Sequence, residues 1–164
     1  MELLSEFLLT KLDFLQQNNI KLLITGRIDG MPERVQTPLY NAISATCNNT
    51  ALTLIIALNY GGRCEITDAA RTIGRKIQTG EISAADITEE MLSKAMYNPT
   101  VPDPELIIRT SGESRLSNFL LWQIAYAEIY FTKTYWPDFH KKELYEAIFE
   151  YQKRNRRFGG LNTK

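Results

Sequence analysis

Residues 52–59 form an almost uninterrupted apolar segment with the sequence Leu-Thr-Leu-Ile-Ile-Ala-Leu-Asn. A run of this length is typical of a strand buried on both faces, which favours a parallel sheet covered by helices. Segments with helical spacing of apolar residues lie before and after it, at residues 4–15 and 66–77. Because helices and strands alternate along the chain, we predict an α/β fold with a mainly parallel sheet flanked by helices. The length of 164 residues fits a single domain over residues 1–164.

Two helix starts are predicted from capping residues. Thr37 is followed by Pro38, a pair that predicts an N-cap and a first helical position. Ser117 precedes an apolar segment at residues 118–125 and predicts the N-cap of a further helix. This second helix matters for function, because its N-terminus would supply N–H donors and a dipole that favours anions.

The charge and the scarcity of cysteine and histidine exclude several classes of function. The chain has 19 Lys plus Arg and 19 Asp plus Glu, so its net charge of zero argues against coating nucleic acid. Cys47 and Cys64 are too few for a disulfide framework, and His140 is the only histidine, so neither zinc nor a Ser-His-Asp mechanism is indicated. The sequence contains no run of about 18 apolar residues and no basic signal region, so we expect a cytoplasmic protein.

Basic and hydroxyl side chains follow the apolar segment 106–108, which is predicted to be a strand. Arg109 comes directly after this segment, and Arg115 and Ser117 follow within eight residues. The small residues Thr110, Ser111, Gly112 and Ser114 predict a turn that can expose backbone N–H groups. Because ligands bind at the carboxyl ends of parallel strands, this cluster predicts a diphosphate cradle. The alternative is that both arginines form ion pairs with Glu105, Glu113 or Glu128, and the spacing alone does not decide between the two.

Two further features are weaker indications of a site. Glu128 begins an apolar segment that is predicted to be a strand, where a carboxylate needs either a cation such as Mg²⁺ or a salt bridge to an arginine. Residues 60–63, Tyr-Gly-Gly-Arg, follow the segment 52–59. They allow a phosphate loop, but the simpler interpretation is a turn whose glycines need positive φ.

Several motifs together resemble the cis-prenyltransferase family, and bacterial undecaprenyl diphosphate synthases are the most similar type. The most specific motif is residues 107–123, Ile-Ile-Arg-Thr-Ser-Gly-Glu-Ser-Arg-Leu-Ser-Asn-Phe-Leu-Leu-Trp-Gln. The resemblance continues at residues 57–63, 125–128, 136–139 and 156–160, in the order typical of the family. It therefore covers nearly the whole chain.

The resemblance implies an activity, its cofactor and its partners. Members add isopentenyl diphosphate repeatedly to an allylic diphosphate such as farnesyl diphosphate, which gives undecaprenyl diphosphate, a precursor of the lipid carrier for cell-wall synthesis. They use Mg²⁺ and form homodimers. The implied location is the cytoplasm, with the membrane surface left open because the product is a lipid.

The resemblance also implies roles for individual residues. It assigns Arg109, Arg115 and Ser117 to the diphosphate of isopentenyl diphosphate, and Glu128 to Mg²⁺. Leu52 would line the tunnel for the growing chain. The terminal motif would allow Arg157 and Gly159 to reach the active site of the neighbouring subunit in the dimer.

The sequence departs from the family at its start. Neither the Asp-Gly-Asn-Gly-Arg-Trp type loop, which holds the allylic diphosphate and a magnesium-binding aspartate, nor the Ser/Thr-Glu-Asn-Trp type motif occurs. We therefore expect this chain to correspond to the C-terminal two-thirds of the family, to lack its first strands and to expose a sheet edge or an apolar face. We also expect it to be inactive alone, with no catalytic residue retained. The alternatives are a non-catalytic partner subunit of a heteromeric cis-prenyltransferase and an unrelated α/β phosphate-binding module.

Overall fold

A computed structural model describes residues 2–154, and the side chains of residues 10–154. The chain divides into two compact units, Met1–Val101 and Pro102–Lys164. The prediction of one domain over residues 1–164 stays a prediction. The helices are α1 (Glu2–Gln17), α2 (Glu33–Thr46), α3 (Gly62–Gln78), α4 (Glu89–Ala95) and α5 (Lys141–Gln152), and the strands are β1 (Ile20–Thr25), β2 (Leu52–Ala57), β3 (Leu106–Arg109) and β4 (Glu128–Phe131).

In the first unit, β1 and β2 form a parallel pair in which Ile20 lies opposite Leu52 and Thr25 opposite Ala57. The core lies where alternate residues of this pair meet α1 and α2. It contains seven buried apolar residues, namely Leu15, Leu22, Ile24, Met31, Val35, Leu39 and Ala42. The α/β class and the parallel pairing predicted from the sequence are confirmed.

The burial predicted for β2 on both faces is wrong. Leu52, at the start of β2, is 58% exposed, and Thr53 and Ala57 are also exposed. Leu54 and Ile56 pack against the core, but β2 is hydrogen-bonded to β1 alone among the described strands. A continuous apolar run does not distinguish burial on both faces from burial on one, because it lacks the alternation that marks a solvent face.

The predicted start of α2 is also wrong. The helix begins at Glu33, after Pro32 with φ −58° and ψ 139°, and Pro38 lies inside it. Proline lacks an N–H donor, so Pro38 leaves the carbonyl of Arg34 without its usual helical partner. That carbonyl belongs to the second residue of the helix, where the loss is tolerated. Pro32, rather than Pro38, marks the helix boundary.

The turn from β2 into α3 uses an asparagine, rather than a glycine, for its left-handed residue. Gly61 is extended, with φ −160°, whereas Asn59 has φ +46°. The Asn59 side chain donates to the carbonyl of Arg27 at 2.9 Å, which fixes the turn against the end of β1. The prediction of positive φ at the glycines of this turn is therefore wrong, because asparagine tolerates the left-handed region when its amide is bound locally.

In the second unit, β3 and β4 form a second parallel pair, α5 packs on β4, and Ala147 of α5 is fully buried. The helix predicted over residues 118–125 is absent, and the segment consists of turns. Ser117, Asn118 and Leu120 have φ of +50°, +64° and +47°. Residues with these dihedrals cannot continue a right-handed helix, so Ser117 caps no helix and no helix N-terminus faces the predicted cradle.

Candidate functional site

The β3–β4 pair sets the position of the two predicted site residues that lie on strands. Arg109 is the last residue of β3 and lies opposite Phe131, while Glu128 begins β4 and lies opposite Leu106. Three residues of strand separate these two levels, which is about 10 Å at 3.3 Å per residue. Arg109 and Glu128 are therefore at opposite ends of the strand pair, and the structure does not bring them together within the described chain.

Arg109 and Arg115 do come together, at one cavity of about 220 Å³. The Arg109 guanidinium has no acidic partner among residues 10–154 and lies half-buried at the strand end. The rest of the wall is apolar and consists of Ile107, Ile108, Leu116, Phe119, Ile124, Ile129 and Phe131. This arrangement combines two cationic groups with an apolar enclosure, which suits a small amphiphilic anion.

The turn between the two arginines differs from the predicted phosphate cradle. The N–H groups of Ser111 and Gly112 donate to the carbonyls of Thr134 and Thr132, at 2.9 and 2.8 Å. These two donors are satisfied internally, so the prediction that they are exposed to a ligand is wrong. Arg115 forms an ion pair with Glu113, which is one of the acidic partners that the sequence left open.

The carboxylate of Glu128 is bound by an arginine. An Arg154 N–H donates to it at 2.7 Å and a second contact joins the same nitrogen to the Ile129 carbonyl at 3.1 Å. Residues 10–154 contain no group of three His, Cys, Asp or Glu that could hold a metal ion. One carboxylate that is already neutralised does not fit Mg²⁺, which needs several oxygen ligands. The magnesium role of Glu128 stays a prediction.

The other predicted residues are not joined to this cavity. Ser117 has the left-handed conformation described above and does not line it. Leu52 is exposed at the start of β2 in the first unit, and its tunnel role stays a prediction. Arg157 and Gly159 lie outside the described residues.

A polar cluster in the first unit, around the Asp68 carboxylate, was not predicted from the sequence. Arg27 donates to both of its oxygens at 2.8 Å, and Tyr97 donates through its hydroxyl at 2.5 Å. Arg71 adds a contact at 2.9 Å. Arg27, Asp68 and Tyr97 line a cavity of about 630 Å³ at the ends of β1 and β2. Three segments far apart in sequence thus converge on one carboxylate.

This cluster shifts the proton affinities of its members. Hydrogen bonds from Arg27 and then Tyr97 hold the pKa of Asp68 well below its usual range. The hydrogen bond to Asp68 raises the pKa of Arg27. Burial, followed by the hydrogen bond to Asp68, raises the pKa of Tyr97 to about 12. All three residues therefore stay in their usual protonation states across the neutral range.

A second buried acid supports the same region. Glu65, which is 1% exposed, accepts from the Tyr60 hydroxyl at 2.6 Å and from the Tyr97 backbone N–H at 2.8 Å. The rings of Tyr60 and Tyr97 pack edge to face at 6.3 Å between centroids. The sequence signal available was the position of Glu65, four residues before Ala69 and eight before Ile73, because a glutamate that continues the apolar face of a helix needs buried partners.

The comparison with known proteins agrees with this fold and these motifs. A family model described as "Prenyltransf: Putative undecaprenyl diphosphate synthase" matches residues 1–159. The chain belongs to this prenyltransferase family. It is 48% identical over 162 residues to the isoprenyl transferase of Heliobacterium mobile, with 99% of the chain and 62% of the relative covered. The family predicted from the motifs is confirmed.

Other members of the prenyltransferase family give the same result. The chain is 46% identical to the Micrococcus luteus ditrans,polycis-undecaprenyl-diphosphate synthase, with 98% of the chain and 65% of the relative covered. The chain also superposes on a crystal structure of lavandulyl diphosphate synthase from Lavandula x intermedia, in complex with dimethylallyl diphosphate, with a TM-score of 0.93 and 34% sequence identity. The superposition covers 96% of this chain and 69% of the synthase chain.

The length of the match and the absence of a membrane-spanning helix among the described residues add to the family assignment. It spans less than two thirds of the length of the two curated relatives described. No helix in the described part of the chain is long and apolar enough to cross a membrane. Family and relatives are prenyl transferases, so the predicted enzyme class is confirmed at the level of the family.

Proposed function

We propose that this chain binds isopentenyl diphosphate at the Arg109–Arg115 cavity, as part of a cis-prenyltransferase that makes undecaprenyl diphosphate. The observation that carries the proposal is the pairing of two guanidinium groups with an otherwise apolar cavity of about 220 Å³. A diphosphate requires cationic forks, and a five-carbon isoprenoid group requires an apolar wall. Among the described residues, Arg109 offers a guanidinium with no acidic partner to displace.

The chain's own residues would contribute binding and orientation. Arg109 and Arg115 would hold the diphosphate through charge-assisted hydrogen bonds, which fixes the reacting end of the substrate relative to the sheet. Ser117 is proposed as a further ligand of the diphosphate, as the family resemblance assigns it. Mg²⁺ is the cofactor of the resemblance, but Glu128 is held by Arg154, so none of these steps depends on the metal.

The second substrate is proposed to be an allylic diphosphate, with farnesyl diphosphate as the candidate. The Micrococcus luteus relative is named as specific for (2E,6E)-farnesyl diphosphate. The loop motif that the resemblance assigns to this substrate does not occur in the sequence, so we propose that the chain alone binds isopentenyl diphosphate without elongating a prenyl chain. Leu52 would contact the growing chain, and Arg157 and Gly159 would reach the partner site of a homodimer.

The proposal implies a place in cell-wall lipid synthesis. We propose the cytoplasm as the location of the protein. Association with the membrane surface is part of this proposal, because a lipid product would leave the enzyme there. The second candidate function that we propose is that of a non-catalytic partner subunit in a heteromeric cis-prenyltransferase. Binding of isopentenyl diphosphate distinguishes them, since a pure partner subunit has no need of this ligand. Family membership removes the unrelated α/β module.

Calorimetric titration with isopentenyl diphosphate tests the proposal. We expect Arg109→Ala to weaken binding by roughly 10- to 100-fold, because a hydrogen bond to a charged group contributes about 1.5–3 kcal/mol. Arg34→Ala removes the same charge from an exposed position on α2 and serves as the control. Equal affinities of the wild type and Arg109→Ala would refute the assignment of this cavity.

A second measurement tests the chain for elongation activity. Radiolabelled isopentenyl diphosphate is incubated with farnesyl diphosphate, Mg²⁺ and the purified chain, and we expect no long-chain product. Formation of such a product would contradict the proposal that this chain alone does not elongate.

A further inference from the structure

The two cations at the cavity differ in what they contact. Arg115 forms an ion pair with Glu113, two positions earlier in the chain, and the two side chains are 67% and 37% exposed. Arg109 has no acidic partner among residues 10–154. One guanidinium of the cavity therefore already carries an anion, and the other does not.

The backbone explains why Glu113 lies beside Arg115. Ser111 and Gly112 both have φ +68°, so the chain turns sharply after β3. The turn is fixed because both residues donate backbone hydrogen bonds to the segment that follows β4, at 2.9 and 2.8 Å. Glu113 leaves this anchored turn, and Arg115 follows two residues later. The ion pair is thus a product of a constrained loop.

The other acids near this sheet are engaged elsewhere. Glu128 is bound by Arg154 at 2.7 Å, and Glu105 accepts from the Tyr151 hydroxyl at 3.3 Å. Neither contacts a guanidinium that lines the cavity. Within residues 10–154, Glu113 is the acid that contacts one of the two arginines.

We propose that Glu113 competes with the ligand for Arg115, so that a diphosphate must displace this carboxylate to bind both arginines. The inference rests on the proposed function, since it takes isopentenyl diphosphate as the ligand of the cavity. Carboxylate and phosphate oxygens use the same fork of N–H donors on a guanidinium. Glu113 therefore lowers the affinity for the anion and keeps Arg115 paired while the ligand is absent.

The size of the effect follows from the exposure of the pair. Exposed ion pairs contribute little, so their loss changes a binding constant modestly. We expect Glu113→Gln to bind isopentenyl diphosphate about 1.5- to 5-fold more tightly than the wild type. The gain should disappear in the Arg115→Ala background, because the competition acts through that guanidinium.

The experiment is a calorimetric titration of the wild type and four variants at one salt concentration. Isopentenyl diphosphate is titrated into the wild type, Glu113→Gln, Arg115→Ala and the double variant. Glu150→Gln is the matched control: it removes an equal charge from an exposed pair with Lys153 in the same unit, where the atoms are 2.7 Å apart. Circular dichroism of each variant verifies that it is folded.

The outcomes separate the two proposals. Tighter binding by Glu113→Gln alone, lost when Arg115 is alanine, supports the competition. Wild-type binding that depends on Arg109, combined with unchanged or weaker binding by Glu113→Gln, overturns only the competition and leaves the proposed function standing. A gain that persists without Arg115, or that Glu150→Gln reproduces, also overturns it, because general charge then explains the change. Absence of binding by every variant overturns both proposals.

Discussion

Replacing Gly26 with alanine should strongly destabilise the first unit. Gly26 has φ +127°, and a Cβ built there would lie 1.9 Å from the carbonyl oxygen of Leu58. Ordinary Cβ contacts do not fall below 3.0 Å, so the segment at Gly26 or the segment at Leu58 would have to move by about 1.1 Å. This crossing is held by hydrogen bonds from Leu58 to Thr25 at 2.9 Å and from Arg27 to Asn59 at 3.3 Å.

The expected loss can be summed from these contacts. A side chain in a sparsely populated backbone conformation costs about 1–3 kcal/mol. Displacing the crossing strains or breaks two hydrogen bonds, each of which contributes about 0.5–1.5 kcal/mol. Gly26→Ala should therefore lower the free energy of unfolding by about 2–6 kcal/mol, which is a large part of the stability of a small protein.

Gly74→Ala provides the opposite control for the same chemical change. Gly74 lies inside α3, and, apart from its chain neighbours and the nearby backbone of the helix itself, no atom lies within 4 Å of an added Cβ. Alanine should raise the free energy of unfolding there by about 0.5–1 kcal/mol, because glycine is a poor helix former. Urea denaturation followed by circular dichroism measures both variants. A loss below about 1 kcal/mol for Gly26→Ala would refute the close approach at Leu58.

Two further predictions concern stability. The pKa of Asp68 is lowered from its ordinary value of 3.8. The contribution of Asp68 to stability is therefore present above that value and declines as the pH falls through the lowered pKa. Between pH 7 and pH 3, the free energy of unfolding measured in urea should change less for Asp68→Asn than for the wild type, and an equal change would contradict the cluster. Thr46 is fully buried, and its hydroxyl accepts a hydrogen bond from the Leu22 N–H at 3.0 Å. Thr46→Val should lower the free energy of unfolding by about 1–3 kcal/mol, because the Leu22 N–H loses its partner. Thr46→Ser is the control, which keeps the hydroxyl and should retain most of the stability.

The fold was predictable where the pattern of apolar residues within a single segment was unambiguous. The strand at Ile20–Thr25 and the helix ending before Gly80 follow from local pattern and are present. Thr37–Pro38 failed as a helix start because a proline is also tolerated within a helix when the carbonyl it leaves free is near the N-terminus. Two prolines in this segment could each mark a helix start, and the helix begins after the earlier one, Pro32.

The candidate site was only partly predictable. Arg109 and Arg115 lie on either side of one turn, so two residues that are close in sequence line the same cavity. Glu128 is near them in sequence but belongs to the opposite end of the strand pair, which only the register between β3 and β4 determines. Register between strands depends on tertiary pairing, so a single sequence does not fix it. The Arg27–Asp68 ion pair could not be predicted for the same reason, because its residues lie 41 positions apart and meet only through tertiary packing.

The carboxylate of Asp68 connects the loop after β1, the helix α3 and the segment after α4. Opening any one of these three segments removes hydrogen-bond partners from the other two. Protein regions that share such contacts open together rather than one by one. The first unit should therefore open as one cooperative substructure, so that local opening at Arg27 also exposes Tyr97.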